Sequence, residues 1–450
     1  MIDRIRTVSW YAFAFLLPWQ TVWIVREVFV SGEKWQYATL GIYVSDVALL
    51  LCAVFFVFGA RREVWRVVVR DRVLLLLGVF FLWALLSSLW SIDASLALIS
   101  AWRIFLMTLA FVLARYGDVS MWKTISIFLL SMSIQASLAL SQWAGQYIAP
   151  STLLGIAEHD PSRWGTFVLK TEDGRFLRAY GGFEHPNVLG GALAVAILFG
   201  VWLSVTVKRV SSRAVFLGMT ALMSFALVFT FSRSGWMGLL LGMGVLLLGL
   251  TRCLKHSLFS SFPRLPCLPA GRRGNDGMGW VSSVVIVILS FSIAFFLVCD
   301  IALSRFSEGT LAREGSLSDR AILLEQAFSA IREYPVLGVG GGNFTAFTRE
   351  RLPSAGTFVG AFQPVHMVPV LVFAELGAVG FVLFALPLLC WFVSAWKRRN
   401  ALSMAIFCTL LPMLLLDHWL WSGHFGMMFL GLLLGVCTRM DARVGSVWRI

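Results

Sequence analysis

The sequence predicts an all-α, polytopic transmembrane helix bundle of about 12 spans. Three observations carry that expectation. The composition is 58% hydrophobic and only 14% charged, with a mean hydropathy of +0.81, a balance suited to lipid rather than to a water-soluble core. Apolar runs long enough to cross roughly 30 Å of hydrocarbon recur along the whole chain. Lysine and arginine gather in alternate short loops, which is how the positive-inside rule writes topology into a sequence.

The runs lie near 8–25, 39–60, 73–90, 96–114, 124–142, 187–207, 214–231, 236–251, 279–302, 368–395, 401–416 and 420–437. No small-residue cleavage site follows the first, so it reads as a retained helix and not as a signal peptide. The basic loops are "RREVWRVVVRDR" at 61–72, "KRVSSR" at 208–213, Arg252 to Arg273, "KRRN" at 397–400 and the tail with Arg439, Arg443 and Arg449. These loops, and with them both termini, are expected in the cytoplasm, which makes residues 1–450 a single multi-pass domain of the cytoplasmic (inner) membrane. The same placement explains the net charge of +13 without a nucleic-acid partner. None of the seven cysteines forms a CxxC or a Cys/His metal spacing, so disulfide and zinc readings are weak. The segment 262–279, "FPRLPCLPAGRRGNDGMG", is rich in Pro, Gly and Arg without apolar periodicity, and reads as a cytoplasmic linker or insertion.

The opposite, external face receives two long loops, about 143–186 and 303–367, and most of the polar residues that look out of place. Arg233 sits in the tight turn of "LVFTFSRSGWMGLLLG"; Arg178, Glu184, His185 and Asn187 lie in "LRAYGGFEHPNVLGG"; "QPVHMVPV" puts His366 at the mouth of span ten; "LLDHWLWSGH" puts Asp417 and His418 between the last two spans. Each residue has a plainer reading. Arg233 can snorkel to headgroup phosphates, and Trp236 can belong to an interfacial belt. "VLGVGGGNF" at 336–344 resembles a phosphate loop but lacks the Gly-Lys-Ser/Thr ending, and reads as a flexible turn after Pro335. The segment "SLSDRAILLEQAFSAIREYP" predicts an amphipathic external helix, opened by a capping box of Ser316 and Asp319 and ended by Pro335. Its expected stripe is Leu324, Ala327, Phe328 and Ile331, with Arg320 on the same face one turn earlier. A charge on a buried face requires an anionic partner.

The stretches "RAYGGFEHPNVLGG", "FTFSRSGWMG", "SDRAILLEQAFSAIREYPVLGVGGGNF" and "VHMVPVLVFAELGAVG" resemble, in order, the signature stretches of the O-antigen ligase and polymerase family of polytopic glycan transferases. The resemblance covers about 178–380; the family's histidine is usually followed by Asn, whereas Met367 follows His366 here. It implies transfer of a glycan from an undecaprenyl pyrophosphate carrier to a sugar hydroxyl of a glycan or lipid-glycan acceptor, at the outer face of the membrane, with no nucleotide, metal or other cofactor. It also implies that Arg233 and Arg320, with Arg178 as a weaker candidate, hold the pyrophosphate, and that His366 is the base. His185, Asn187, Asp417 and His418 are supporting candidates. Arginine suits the first task because its planar fork binds phosphate oxygens bidentately, and histidine the second because its pKa lies near working pH. A ligase and a polymerase of this family are not separated by these residues. An anion transporter is the rival from another class, but its mark is charge near the bilayer midplane, where this chain has chiefly Asp46 and Arg103, expected to play structural parts. A scaffold would not explain three arginines and a histidine on one face.

Overall fold

The computed structural model describes residues 1–450 apart from 31–32, 61, 164, 173, 260–275, 305–315, 352–361 and 447–450. Its helices are α1 (Ile2–Leu16), α2 (Val44–Gly59), α3 (Arg62–Val68), α4 (Arg72–Leu86), α5 (Ala94–Tyr116), α6 (Met121–Gly145), α7 (Pro186–Thr206), α8 (Val210–Phe229), α9 (Arg233–Phe259) and α10 (Asp276–Leu297). There follow α11 (Cys299–Ser304), α12 (Ser316–Glu333), α13 (Phe344–Arg351), α14 (Val368–Lys397), α15 (Ala401–Leu416), α16 (Trp419–Ser422) and α17 (His424–Ser446). Strands are few and short. β1 (Val22–Arg26) pairs with β4 (Leu40–Tyr43), β2 (Phe29–Val30) with β3 (Glu33–Lys34), and β5 (Val168–Thr171) with β6 (Gly174–Leu177), all antiparallel.

Each of the twelve apolar runs overlaps a helix, and eight helices among the described residues are long and apolar enough to cross a membrane. Val44–Gly59, Arg233–Gly249 and Ala401–Leu416 are apolar but shorter. The first run is cut short: α1 ends at Leu16, Pro18 cannot continue it, and the chain passes into β1. The linker expected over 262–279 lies outside the described residues up to 275, and 276–279 form the first turn of α10.

At the centre stands α7, nearly all of it buried, with Gly190, Gly191 and Gly200 leaving room for the side chains of Ser232, Trp419 and Thr220. Backbone meets backbone at α9, where a Cβ on Gly235 would lie 2.9 Å from both the carbonyl carbon and the oxygen of Gly190. Gly235→Ala is therefore expected to force the start of α9 off α7 and cost about 1–3 kcal/mol, seen as a lower unfolding midpoint in detergent. Gly244→Ala, whose new methyl meets nothing within 4 Å, is the control and should not lower it.

The glycine-rich segment after Pro335 is an inserted wedge and not a flexible turn. Helix α14 is broken at Gly377, which has φ 68° and ψ −172°. Carbonyls released by the break are taken up by that segment: Val339 N–H donates to Ala374 O at 3.0 Å, and Gly340 N–H to Glu375 O at 2.8 Å. Ala378 N–H donates back to Pro335 O at 3.0 Å. A Cβ on Gly377 would fall 2.0 Å from Val336 O, so the positive φ and the close approach both demand glycine there. Gly341 N–H reaches Ser87 Oγ and Asn343 Oδ1 accepts from Asp93 N–H, which pins the wedge to α4 and α5.

The stripe of α12 is rotated from the expected one. Leu323, Ala327 and Ala330 are the buried positions, while Phe328 is exposed. The smaller residues let the helix lie close on the bundle, and Arg320 remains on the buried line, one turn before Leu323. The side chains of the Ser316 and Asp319 capping box lie outside the described residues.

Candidate active site

Helix ends converge on the polar cluster: the starts of α7, α9, α14 and α17 and the ends of α6, α8 and α15. The loop leading into α7 is shaped by glutamines from α6. Gln146 Oε1 accepts from Leu177 N–H, Gln142 Oε1 from Tyr180 and Gly181 N–H, and Gln135 Oε1 from Gly182 N–H. His185 then caps α7, its Nδ1 accepting the Asn187 N–H at 2.9 Å with Pro186 in the first turn.

From Asn187 a hydrogen-bonded chain crosses the site. Arg178, 4% exposed, donates from Nε to Thr230 O at 2.9 Å and from Nη2 to Asn187 Oδ1 at 2.6 Å. Asn187 Nδ2 donates to Asp417 Oδ2 at 2.8 Å, and Asp417 Oδ1 accepts the His418 N–H at 2.9 Å. His418 Nδ1 pairs with Ser422 Oγ at 2.6 Å, and its ring meets that of His366 edge-on, centroids 4.8 Å apart at 80°. Five candidates from three parts of the sequence are thus one network: Arg178, Asn187, Asp417, His418 and His366.

The electrostatics of the network favour neutral imidazoles beside an ionised carboxylate. Burial lowers the pKa of His366; Asp417 opposes that and the charge of Arg320 adds to it. Burial likewise takes His418 down to about 3, with His366 and Arg320 contributing and Asp417 opposing. His185 is held well below the usual range by burial and then by Arg178. Asp417 stays on the low side of the carboxylate range: burial works against its charge, while the surrounding imidazoles and the His418 N–H favour it. Arg320, half-buried on α12, is therefore close enough to act on both His366 and His418.

His366 Nδ1 is buried and has no hydrogen-bond partner among the described residues. Met367, the N-cap of α14, makes no side-chain cap bond.

Arg233 opens α9, half-buried, three residues after the Thr230 carbonyl that Arg178 holds. Among the described residues no hydrogen bond or ion pair links its guanidinium to the network. Trp236 does more than lie in a belt: its Nε1 donates to Leu227 O at 3.1 Å, fastening α9 to α8.

Asp46 and Arg103 do not pair with each other. Asp46 Oδ1 lies 3.1 Å from His424 Nε2, and Arg103 Nη1 donates to Ser422 O at 2.7 Å, so both brace the turn behind His418. Ser422, Tyr37 and the three α6 glutamines are neighbours that sequence reasoning missed; Tyr37 meets the His418 ring at 5.9 Å. The glutamines carried a signal, because Gln135 and Gln142, seven residues apart, share one face of α6 and Gln146 follows at its C-cap, and polar groups there require partners. Among the described residues no group of three or more His, Cys, Asp or Glu side chains is arranged to hold a metal ion.

Eight membrane-length helices with a shared polar cluster at one end, where helix termini meet, define a polytopic membrane protein. Residues 218–385 match the family model described as O-antigen ligase, a stretch that includes Arg233, Arg320 and His366. The match, over rather more than a third of the chain, supports an O-antigen ligase-like family. Comparison with curated proteins finds no match.

Proposed function

We propose that the protein transfers a glycan from an undecaprenyl pyrophosphate carrier to a sugar hydroxyl of a glycan or lipid-glycan acceptor at the outer face of the cytoplasmic membrane. The observation that carries this reading is His366: a histidine biased to the neutral form, with an unpartnered buried Nδ1, within the field of Arg320. A neutral imidazole accepts the proton of the acceptor hydroxyl. As that proton leaves, the acceptor oxygen bonds to the anomeric carbon, the bond from this carbon to the pyrophosphate oxygen breaks, and polyprenyl pyrophosphate departs with the electron pair. Arg233 and Arg320 hold the pyrophosphate and stabilise its growing charge. Arg178, with two N–H groups committed to Thr230 and Asn187, contributes positive potential and orients the turn before Arg233. His418 and Asp417 back the base, and Asn187 and His185 fix the start of α7. The arginines of α3, α4 and the end of α5 gather away from this site, which under the positive-inside rule supports an external site and cytoplasmic termini.

The test is incubation of purified protein with polyprenyl-pyrophosphate glycan and candidate acceptors. A single added glycan supports a ligase, a ladder of repeats supports a polymerase of the same family, and no transfer to any glycan acceptor overturns the reading. Asp417→Asn offers a finer check. Turnover requires neutral His366 and falls as pH drops through its lowered pKa. Asp417 is the charge that opposes this lowering, so its removal should move the acid limb of kcat/KM to still lower pH. A limb that stays in place or moves upward would contradict the coupling.

A further inference from the structure

At the end of the bundle away from His366, a cleft of about 680 Å³ opens between α3, α4, the end of α5 and α17. Its walls carry Arg66, Arg70, Arg72, Arg115 and Arg439, and Tyr116 lies among them. One carboxylate, Asp71, faces these five arginines, and its capacity is already committed. It caps α4 by accepting the N–H groups of Val73 and Leu74, pairs with Arg115 Nε at 2.8 Å, and accepts a hydrogen bond from the Tyr116 hydroxyl. Arg439 donates to the Ala114 carbonyl from the far wall. Arg66, Arg70 and Arg72 are exposed, and among the described residues no ion pair engages them. Among the described residues the forks of Arg66, Arg70 and Arg72 thus face the cleft without an ion-pair partner, which is the chemistry that recognises a phosphate.

What adjoins the arginines decides the class of phosphate. From Arg72 the exposed face of α4 runs through Leu75, Val79, Leu82 and Leu86, spaced by four, three and four residues, as one apolar stripe along the helix. Val67, which lines the cleft, is exposed, as is Val69 two residues on. The stripe belongs to a membrane-length helix, so the arginines at its start stand where the chain meets the headgroup layer, and a phosphate carried by a lipid there can also lay its acyl chains along α4. We propose that this cleft is a binding site for an anionic phospholipid, its headgroup phosphate held by Arg66, Arg70 and Arg72 and its acyl chains laid along α4. The site is separate from the polar network and does not depend on the glycan-transfer reading.

The experiment measures lipid retention by the purified full-length protein in detergent, by native mass spectrometry, with phosphatidylglycerol, phosphatidylcholine and glycerol 3-phosphate as probes. Phosphatidylglycerol should bind in preference to phosphatidylcholine, and glycerol 3-phosphate should not displace it at equal concentration. Arg66→Gln/Arg70→Gln/Arg72→Gln should weaken phosphatidylglycerol binding by roughly 10²-fold, taking the usual gain per basic residue at a lipid surface three times over. The control, Lys208→Gln/Arg209→Gln, alters another basic loop outside the cleft and should bind as wild type does. Arg66→Lys/Arg70→Lys/Arg72→Lys keeps the charge and should retain a measurable part of the binding, which separates loss of a site from loss of fold. Equal binding of the two phospholipids, an unaffected triple Gln variant, or equal loss in the control would overturn the proposal. Displacement by glycerol 3-phosphate would overturn it too, in favour of a soluble phosphate ligand.

Discussion

Replacing His366 by alanine is expected to slow transfer by about 10²–10⁴-fold, the usual contribution of a positioned general base, while leaving affinity for the lipid-linked donor near that of wild type. The residue precedes α14 by two positions and its ring is half-buried against His418, so the substitution removes a small contact and one proton acceptor without opening the bundle. Wild-type turnover should fall on the acid side, below the ordinary histidine value near 6.5, because burial and Arg320 resist protonation. Donor affinity and turnover measured together on one preparation across pH give the answer. Retention of most activity in His366→Ala, or loss of donor binding as complete as in Arg233→Ala, would move this histidine out of the base role and into the pyrophosphate site.

The arginines should behave differently. Arg233→Ala and Arg320→Ala are each expected to lower turnover by about 10²–10³-fold, as removal of one donor to developing negative charge does elsewhere, and to weaken donor binding as well. The lysine variants discriminate more sharply. Lysine keeps the charge but offers no planar fork, so both Arg→Lys variants should stay at least about tenfold below wild type in kcat/KM. Full activity in Arg320→Lys would show that this residue acts only through its field on the imidazoles. Full activity in Arg233→Lys would return that arginine to a headgroup anchor. A double-lysine variant adds a test of sharing: two arginines on one pyrophosphate should give a loss that departs from the product of the single losses.

Much of this architecture was legible in the sequence because lipid imposes one rule on every span. Each of the twelve apolar runs overlaps a helix, and the odd polar residues pointed to the end where Asn187, Asp417, His418 and His366 meet. Hydropathy says nothing about backbone breaks, so the interruption at Gly377 was hidden inside a continuous apolar run, and the glycine-rich segment that fills it looked like a loose turn. The orientation of α12 was misread for a related reason. Ala327 is buried as expected and Leu324 and Ile331 pack partly on the core, but the line is centred on Leu323, Ala327 and Ala330, whose alanines permit close approach, and Phe328 was left outside. Asn187 and Asp417 lie far apart in the chain, and no local pattern announces that they hydrogen-bond; only the packing of α7 against α15 brings them together.

The break at Gly377 also fixes how the site can vary in width. Helix α12 and the first segment of α14 meet at one joint, where residues 334–340 bond to residues 374–378, and each carries a functional candidate some way out from it. Arg320 lies 14 residues before Tyr334, an arm of about 21 Å at 1.5 Å per residue, whereas Val368 lies only six residues before Ala374, an arm of about 9 Å. The pair works as a caliper with unequal legs. A turn of roughly 5° at the joint displaces the tip of the longer leg by about 2 Å, by simple leverage on that helical length, enough to matter where misplacement of about 1 Å can cost 10²-fold in rate. The gap between the two candidates, Arg320 and His366, thus depends on the angle at a glycine that touches neither, and a substitution there changes the span of the caliper while every residue at its tips is left intact.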